Sequence, residues 1–248
     1  GPFNMQFIAK NNELKVIECN VRASRSFPFI SKVSGTNMVE VMAKVFIGEE
    51  ISETYNTLDC GVIGIKSPVF SYNRFKGSDP VAQVEMSSTG EVACIGRDIL
   101  QTFYMSWLGV GQQINKKVIL LSVDDKYKQK LLPLVQALSN DGWQFVATGG
   151  THEMLVNNGV QSKFVFKISD LIEPNIQRTI SKREVGLIIN LPKDVFSSDA
   201  DSDGFKIRRL AIDFHIPLVT NFQLSEALLE SLALFHGKPF KVESYREL

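Results

Sequence analysis

The second half of the chain alternates apolar runs with amphipathic segments, and this alternation constrains the fold more than any other feature. Five apolar, β-prone runs occur there, namely 118–123, 143–148, 163–168, 185–190 and 216–220. Helical patterns separate them, including KYKQKLLPLVQALSNDG at 126–142 and QLSEALLESLALF at 223–235. Strands and helices that alternate at this spacing predict an α/β fold with a parallel sheet covered on both faces. Ligands of such sheets bind at the carboxyl ends of the strands.

The N-terminus carries a different pattern. MQFIAK and LKVIECN are β-prone runs separated by NNE, which predicts an antiparallel hairpin. With Asn11 to Glu13 as a three-residue loop, Lys10 faces Leu14 and Gln6 faces Glu18. Since side chains alternate with period two, three oxygen-bearing side chains then share one face of the hairpin. They are Gln6, Glu18 and Asn20.

The middle of the chain is less regular. Residues 37–47 predict an amphipathic helix with Asn37 as its N-cap, and 61–70 and 82–86 predict strands. GVGQQINKK at 109–117 predicts a connector because it is polar and contains two glycines. We therefore expect two domains, residues 1–112 and 113–248, which suits a chain of 248 residues.

Composition excludes several classes of function. Lys plus Arg and Asp plus Glu both total 27, so no global field would attract nucleic acid or an anionic membrane. No apolar run is long enough to span a membrane. The three cysteines are widely spaced without a metal-binding pattern, which favours a soluble protein of a reducing compartment.

The first candidate site is the stretch around ECNVRASR. Magnesium takes hard oxygen ligands, which Gln6, Glu18 and Asn20 would supply from adjacent strands. Arg22 and Arg25 could grip phosphate or carboxylate through bidentate hydrogen bonds. On local pattern alone, a structural ion pair between Glu18 and one of these arginines is the favoured alternative.

The second candidate is ATGGTHE at 147–153, which lies between a strand and a helix. Its glycines let backbone amides face a ligand, Thr148 and Thr151 add hydroxyl donors, and the helix N-terminus favours an anion such as phosphate. Lys128, Lys167 and Asn190 could surround the same anion. Alternatively, Thr151 is an ordinary N-cap, the glycines form a tight turn and the lysines are solvated.

Other motifs are incomplete. DADSDG at 199–204 resembles the start of a calcium loop, but the twelfth position is Leu210 instead of glutamate, which indicates a mobile acidic loop. The sequence has no GxSxG elbow, no Walker-type loop and no histidine pair at metal-ligand spacing, so a hydrolase is unsupported.

Two blocks resemble one family. Residues 5–32 and STGEVACIG at 88–96 resemble the closing segment of the second ATP-grasp domain of carbamoyl-phosphate synthase large subunits, in the form found in eukaryotic members. LLSVDDK, ATGGTH, LIINLP and IRRLAIDFHIPLVTN are similar to the methylglyoxal-synthase-like regulatory domain that follows it. The resemblance implies the C-terminal part of an ATP-grasp α+β domain, followed by a Rossmann-like parallel-sheet effector domain.

The resemblance also implies roles. Gln6, Glu18 and Asn20 match ligands of the Mg²⁺ or Mn²⁺ that holds the ATP phosphates, and Arg22 and Arg25 match catalytic arginines that neutralise phosphoryl and carbamate oxygens. The family forms carbamoyl phosphate from ATP, bicarbonate and ammonia or glutamine nitrogen, with a glutaminase domain or subunit as partner. Because the earlier parts of the ATP-grasp fold are missing here, we expect no synthase activity from this chain alone.

The effector follows from matched positions. Lys128, Thr148, Thr151 and Lys167 fit positions that bind nucleotides or phosphoribosyl pyrophosphate in the family, and Asn190 fits a position shared by all types. Relatives activated by N-acetylglutamate have tryptophan where Lys167 stands. A uridine nucleotide or phosphoribosyl pyrophosphate, the pyrimidine pathway and a cytoplasmic location are therefore expected. The alternative is an N-acetylglutamate-activated, ammonia-dependent enzyme of the mitochondrial matrix.

Two further functions belong to other classes. Methylglyoxal synthase itself is a lyase that needs an aspartate in a GGDQQ-like loop, and LPKDVFSSDADSDG follows Asn190 instead. Lyase activity is therefore the lower alternative. A pure interaction module without a ligand would show no thermal shift with any phosphorylated metabolite.

Overall fold

The computed structural model of the protein describes residues 1–51, 60–81, 88–193, 200–240 and 243–244. The chain divides into two compact units. The hairpin unit contains Gly1–Ile65 and Ala93–Thr102, and the sheet unit contains Lys66–Val92 and Phe103–Phe240. The division at residue 112 that the sequence suggests stays a prediction.

The hairpin unit begins with strands β1 (Asn4–Lys10) and β2 (Glu13–Asn20), which pair antiparallel as predicted. The loop is shorter than expected, because Lys10 pairs with Glu13 and not with Leu14. Asn11 and Asn12 both adopt positive φ, 53° and 61°, which allows a two-residue turn that matches the twist of the strands.

A register irregularity between Gln6 and Phe7 corrects for this shorter turn. Phe7 pairs with Val16, whereas Gln6 pairs with Glu18, so one extra residue of β2 is accommodated between them. The predicted pairing of Gln6 with Glu18 is therefore confirmed, although the loop from which it was inferred was wrong by one residue.

Two short helices follow the hairpin. Helix α1 (Phe27–Ser34) was not predicted, although it has Pro28 near its start and Gly35 beyond its end at φ 67°, both common at helix termini. Helix α2 (Met38–Phe46) was predicted, and the Oδ1 of Asn37 accepts a hydrogen bond from the Glu40 N–H at 3.3 Å, which confirms the N-cap.

Strands β3 (Ile63–Val69) and β4 (Gly90–Gly96) pair in a second small sheet. The strand predicted at 61–70 is thus confirmed, and the one predicted at 82–86 lies outside the described residues. Helix α3 (Ile99–Gly109) was missed because its apolar residues lack a clear helical stripe. Its start was nevertheless signalled by Asp98, whose Oδ1 accepts a hydrogen bond from the Gln101 N–H at 2.7 Å.

The sheet unit contains five parallel strands in the order β7-β6-β5-β8-β9. The strands are β5 (Val118–Val123), β6 (Gln144–Ala147), β7 (Ser162–Phe164), β8 (Leu187–Leu191) and β9 (Leu218–Val219). The helices between and after them are α4 (Asp125–Asn140), α5 (Gly149–Asn157), α6 (Ile176–Ser181), α7 (Asp203–Asp213) and α8 (Phe222–Phe235). The predicted parallel sheet is confirmed.

Side chains of the central strands alternate between two apolar layers. Ile119 and Leu121 of β5 pack in one layer with residues of α4 and α8, and Leu120 packs in the other with residues of α6 and α7. Both faces of the sheet are therefore covered, as the uninterrupted apolar runs predicted. The chain extends the sheet from β5 through β6 to β7 and then returns to place β8 on the other side of β5. This reversal creates a crevice at the carboxyl ends of β5 and β8, where α/β sheets bind ligands.

Candidate functional site

A cavity of about 460 Å³ lies at the carboxyl ends of β5, β6 and β8. We call it the carboxyl-edge cavity. Its lining includes all five residues of the second candidate, namely Lys128, Thr148, Thr151, Lys167 and Asn190. These residues are far apart in sequence, and the structure brings them together because strand ends and helix starts meet at this edge.

Three helices begin at the cavity, α4, α5 and α7, with N-caps Asp124, Thr148 and Ser202. The side chains of Asp124 and Ser202 accept hydrogen bonds from the Lys126 and Phe205 amides, at 3.3 Å and 3.2 Å. Thr148, in contrast, makes no side-chain cap at the start of α5. The first amides of α5 are therefore uncapped by a side chain, and unpaired N–H groups at a helix start attract anions.

Thr151 lies in the first turn of α5 and is 4% exposed. Its hydroxyl donates to the Val123 carbonyl oxygen at a long 3.4 Å. The N-cap is Thr148, so the alternative assignment of Thr151 as N-cap was wrong.

Lys128 lies in the first turn of α4, with its side chain only 13% exposed. Its Nζ is 2.5 Å from the Oδ1 of Asp125, and this hydrogen bond and the lysine charge lower the pKa of the Asp125 carboxyl. The same Nζ would lie 2.9 Å from a Cβ at Gly150, so the glycine leaves space for the ammonium beside the start of α5. A positive charge is thus held against the uncapped helix end.

Lys167 follows β7 instead of lying on it, because that strand ends at Phe164, earlier than predicted. Lys167 caps a short 3₁₀ helix at Ile168–Asp170, and its backbone N–H donates to the Oδ2 of Asp170 at 3.0 Å. Its side chain lines the cavity from an exposed position, which suits a residue that contacts an incoming ligand.

Asn190, at the end of β8, is 2% exposed and accepts a hydrogen bond at its Oδ1 from Nη1 of Arg208 at 3.0 Å. Arg208 is 3% exposed and also binds Asp79 through Nε to Oδ1 at 2.7 Å and Nη2 to Oδ2 at 2.5 Å. Sequence reasoning missed both Arg208 and Asp79. One signal was available, since Arg208 shares the buried face of α7 with Ile207 and Ala211.

The acidic stretch before α7 differs from the expected mobile loop. Asp203 and Gly204 already belong to α7, whereas residues 194–199 lie outside the described part of the chain. Both carboxylate oxygens of Asp203 accept hydrogen bonds from Ser169, one from its N–H at 2.9 Å and one from its hydroxyl at 2.8 Å. This carboxylate beside the cavity is therefore already satisfied.

The first candidate site lies on the exposed hairpin. Gln6 pairs with Glu18, and the Nδ2 of Asn20 donates to the Oε1 of Glu18 at 3.0 Å, so the three side chains share one face. In the part of the chain that the structure describes, Glu18 has no ion pair with Arg22 or Arg25. The Nη1 of Arg22 instead donates to the Ala23 carbonyl oxygen at 3.4 Å. The structural ion pair favoured on local pattern is therefore absent there.

The donor set of this hairpin fits a magnesium or manganese ion. A carboxylate and two carboxamides supply hard oxygens, and both strands that carry them are held in register by the hairpin. The three cysteines are free thiols, and no helix among the described residues is long and apolar enough to cross a membrane.

Comparison with known proteins identifies the family. Residues 130–220 match the family model of the MGS-like domain, and residues 1–54 match that of the carbamoyl-phosphate synthase L chain, ATP binding domain. Multifunctional protein URA2 of Saccharomyces cerevisiae is 42% identical over 94% of this chain. Human mitochondrial carbamoyl-phosphate synthase [ammonia] is 38% identical over 97% of it. The chain belongs to the carbamoyl-phosphate synthase family. The parallel sheet and the match to the MGS-like domain confirm the predicted α/β fold class.

This carbamoyl-phosphate synthase-family chain spans only part of its relatives, 11% of URA2 and 17% of the human synthase. Multifunctional protein CAD of Squalus acanthias is 40% identical over 96% of this chain and 11% of its own length. A solved methylglyoxal synthase from Elizabethkingia anophelis covers 52% of the chain at 22% identity and a TM-score of 0.38.

Proposed function

We propose that the chain binds a phosphorylated effector in the carboxyl-edge cavity and acts within a ligase that forms carbamoyl phosphate. The observation that carries the proposal is the convergence of Lys128, Lys167 and Asn190 with the uncapped start of α5 in one cavity. Fixed amide donors and lysine charges are the groups that recognise phosphate. Family membership supplies the ligase context.

The phosphorylated effector is preferred over N-acetylglutamate because Lys167 offers a full positive charge at the mouth of the cavity. Phosphate carries up to two negative charges and three acceptor oxygens, so it gains more from the lysines and helix ends than a carboxylate does. A uridine nucleotide or phosphoribosyl pyrophosphate is accordingly the proposed ligand class. This ligand class supports a role in pyrimidine synthesis in the cytoplasm, with a glutaminase and the remaining synthase domains as proposed partners.

The hairpin is proposed to form one wall of the ATP site. Gln6, Glu18 and Asn20 would hold Mg²⁺ or Mn²⁺, which neutralises phosphate oxygens when bound. Asn20 holds the Glu18 carboxylate through its Nδ2, and the hairpin pairing fixes Gln6 opposite. Arg22 and Arg25 lie exposed just beyond β2, where guanidinium groups can orient and neutralise phosphoryl and carbamate oxygens.

Calorimetry on the full chain tests the effector. We expect uridine triphosphate or phosphoribosyl pyrophosphate to bind, and Lys167→Ala to raise the dissociation constant about tenfold, the loss of one charged hydrogen bond. Lys163→Ala is the matched control, because Lys163 lies on β7 shortly before Lys167 but pairs with Glu184 at 3.1 Å, outside the cavity. Tight binding of N-acetylglutamate with no response to either phosphorylated compound would reverse the order of the two effectors.

A further inference from the structure

The guanidinium of Arg208, on α7, forms hydrogen bonds both to a cavity residue and to a residue distant in sequence. Nη1 donates to the Oδ1 of Asn190, whereas Nε and Nη2 form a bidentate pair with the carboxylate of Asp79. Asp79 lies well outside residues 130–220, the part that matches the MGS-like domain. All three residues belong to the sheet unit, so the chain of contacts runs within one compact body.

The arginine determines which way the Asn190 carboxamide faces. A guanidinium has only donors, so Asn190 must present its oxygen to Arg208, and its two N–H groups are left for other partners. Asn190 lines the cavity, and its backbone is fixed by parallel pairing of β8 with β5. The carboxamide is therefore held as a hydrogen-bond donor on the cavity side. If it turned over, its oxygen would face the anion and repel it.

Asp79 and the neighbouring Arg209 hold Arg208 in this orientation. The Nη1 of Arg209 donates to the carbonyl oxygens of Tyr72, Phe75 and Ser78, at 3.3, 3.1 and 3.3 Å. These bonds attach segment 72–78 to α7 immediately before Asp79. The Asp79 carboxylate then takes two of the guanidinium's donor directions and leaves Nη1 directed at Asn190.

We infer that Asp79 and Arg208 are positioning residues of the carboxyl-edge cavity, which lock the Asn190 carboxamide as a donor to a bound anion. Anion affinity then depends on the attachment of segment 72–79 to α7. Coupling is reciprocal, so a bound anion must strengthen that attachment in return. The inference rests on the proposed function, since it requires an anionic ligand in this cavity. It names the residues that couple ligand binding to the attachment of segment 72–79.

Two substitutions separate positioning from structural support. Asn190→Asp keeps an oxygen acceptor for Arg208 and leaves the Arg208–Asp79 ion pair in place. It replaces the N–H donors that face the cavity by an acceptor. We expect binding of inorganic pyrophosphate, uridine triphosphate and phosphoribosyl pyrophosphate to weaken at least tenfold. Asp79→Asn changes no residue that lines the cavity, and we expect it to weaken the binding of the same ligands three- to tenfold. Asp141→Asn is the control, because it removes the carboxylate from an exposed pair with Lys117 away from the cavity.

The double variant supplies the decisive readout. If Asp79 acts through Asn190, then adding Asp79→Asn to Asn190→Asp causes no further loss of affinity, whereas independent effects multiply. Hydrogen exchange gives a second measure, since ligand should slow the amides of segment 72–79 in the wild type but not in Asp79→Asn.

The outcomes separate this inference from the proposed function. Unchanged ligand affinity in both single variants, with normal binding by the wild type, overturns the inference and leaves the effector proposal standing. Wild-type binding of pyrophosphate alone, lost in Asn190→Asp and weakened in Asp79→Asn, supports the inference and rejects the nucleotide or phosphoribosyl effector. A wild type that binds none of the three anions overturns both.

Discussion

Replacing Asp79 by alanine should destabilise the sheet unit strongly, whereas the same change at Asp213 should not. The two aspartates are partners of consecutive arginines on α7. The Arg208 side chain is 4% exposed and its partner Asp79 21%, whereas Asp213, the partner of Arg209, is 51% exposed. The pairs therefore differ chiefly in how far water can replace the lost carboxylate.

The loss of stability expected for Asp79→Ala follows from the positive charge that remains on Arg208. Without Asp79, Arg208 keeps only its bond to Asn190, and a buried guanidinium loses its compensating charge. Breaking a buried pair from one side costs roughly 3–5 kcal/mol. Because Asp79 is partly exposed and water can enter there, we take the lower limit, about 3 kcal/mol. The Arg209–Asp213 pair, whose carboxylate is exposed to water, contributes about 0.3–0.5 kcal/mol, as other i,i+4 pairs do.

Tryptophan fluorescence during urea unfolding provides the assay. Both tryptophans of the chain, Trp107 and Trp143, are buried in the sheet unit, so the signal reports that unit alone. With a slope of roughly 2.5 kcal/mol per molar urea, Asp79→Ala should lower the midpoint by about 1.2 M. Asp213→Ala should lower it by about 0.2 M or less. Equal midpoint shifts in the two variants would show that burial of the Arg208 pair does not determine its contribution.

Two other predictions concern stability. A Cβ at Gly186 would lie 2.2 Å from the Lys116 carbonyl oxygen, so Gly186→Ala should lower the free energy of unfolding in urea by about 3 kcal/mol, the upper end of the usual range for overpacking. At Gly90 the nearest contact of an added Cβ would be an ordinary 3.7 Å, so Gly90→Ala should change the free energy of unfolding little. Equal losses of stability in the two variants would contradict the predicted clash at Gly186. Burial lowers the pKa of His236, whose Nδ1 lies 3.1 Å from the Tyr104 hydroxyl. The unfolded chain then binds the proton more readily, so stability should fall as the pH falls below about 6.5. His236→Gln should flatten this dependence, and a variant with the wild-type pH profile would refute the assignment.

The parallel sheet could be predicted because its evidence is local and repeated. Each buried strand is an apolar run, and α4 has a clear apolar stripe, so β5 and α4 were identified from their own residues. Helix α3 escaped because its apolar residues form no clear stripe, and α1 because only its terminal signals, Pro28 and Gly35, distinguish it. The pairing of Gln6 with Glu18 was predicted correctly and that of Lys10 with Leu14 wrongly, since a β-bulge inside a strand has no clear sequence signal.

The lining of the carboxyl-edge cavity could also be predicted in part. Thr148 and Asn190 end strands, and Lys128 begins a helix, so topology alone brings them to one edge of the sheet. Arg208 and Asp79 could not be found in this way. Their pair joins residues 129 positions apart, and the sequence of either one is compatible with an exposed surface residue.

The position of Asn190 explains why an arginine is buried beside an anion site at all. Asp79 neutralises Arg208, which lines the cavity beside Asn190 and donates to its carboxamide oxygen. The buried pair thus contributes orientation more than net charge, and exposed Lys167 supplies a positive charge. Such a division lets directed donors select ligand shape while the lysine supplies attraction. The hydrogen-bonding direction of Asn190 is thereby set by a segment beyond the five-stranded sheet.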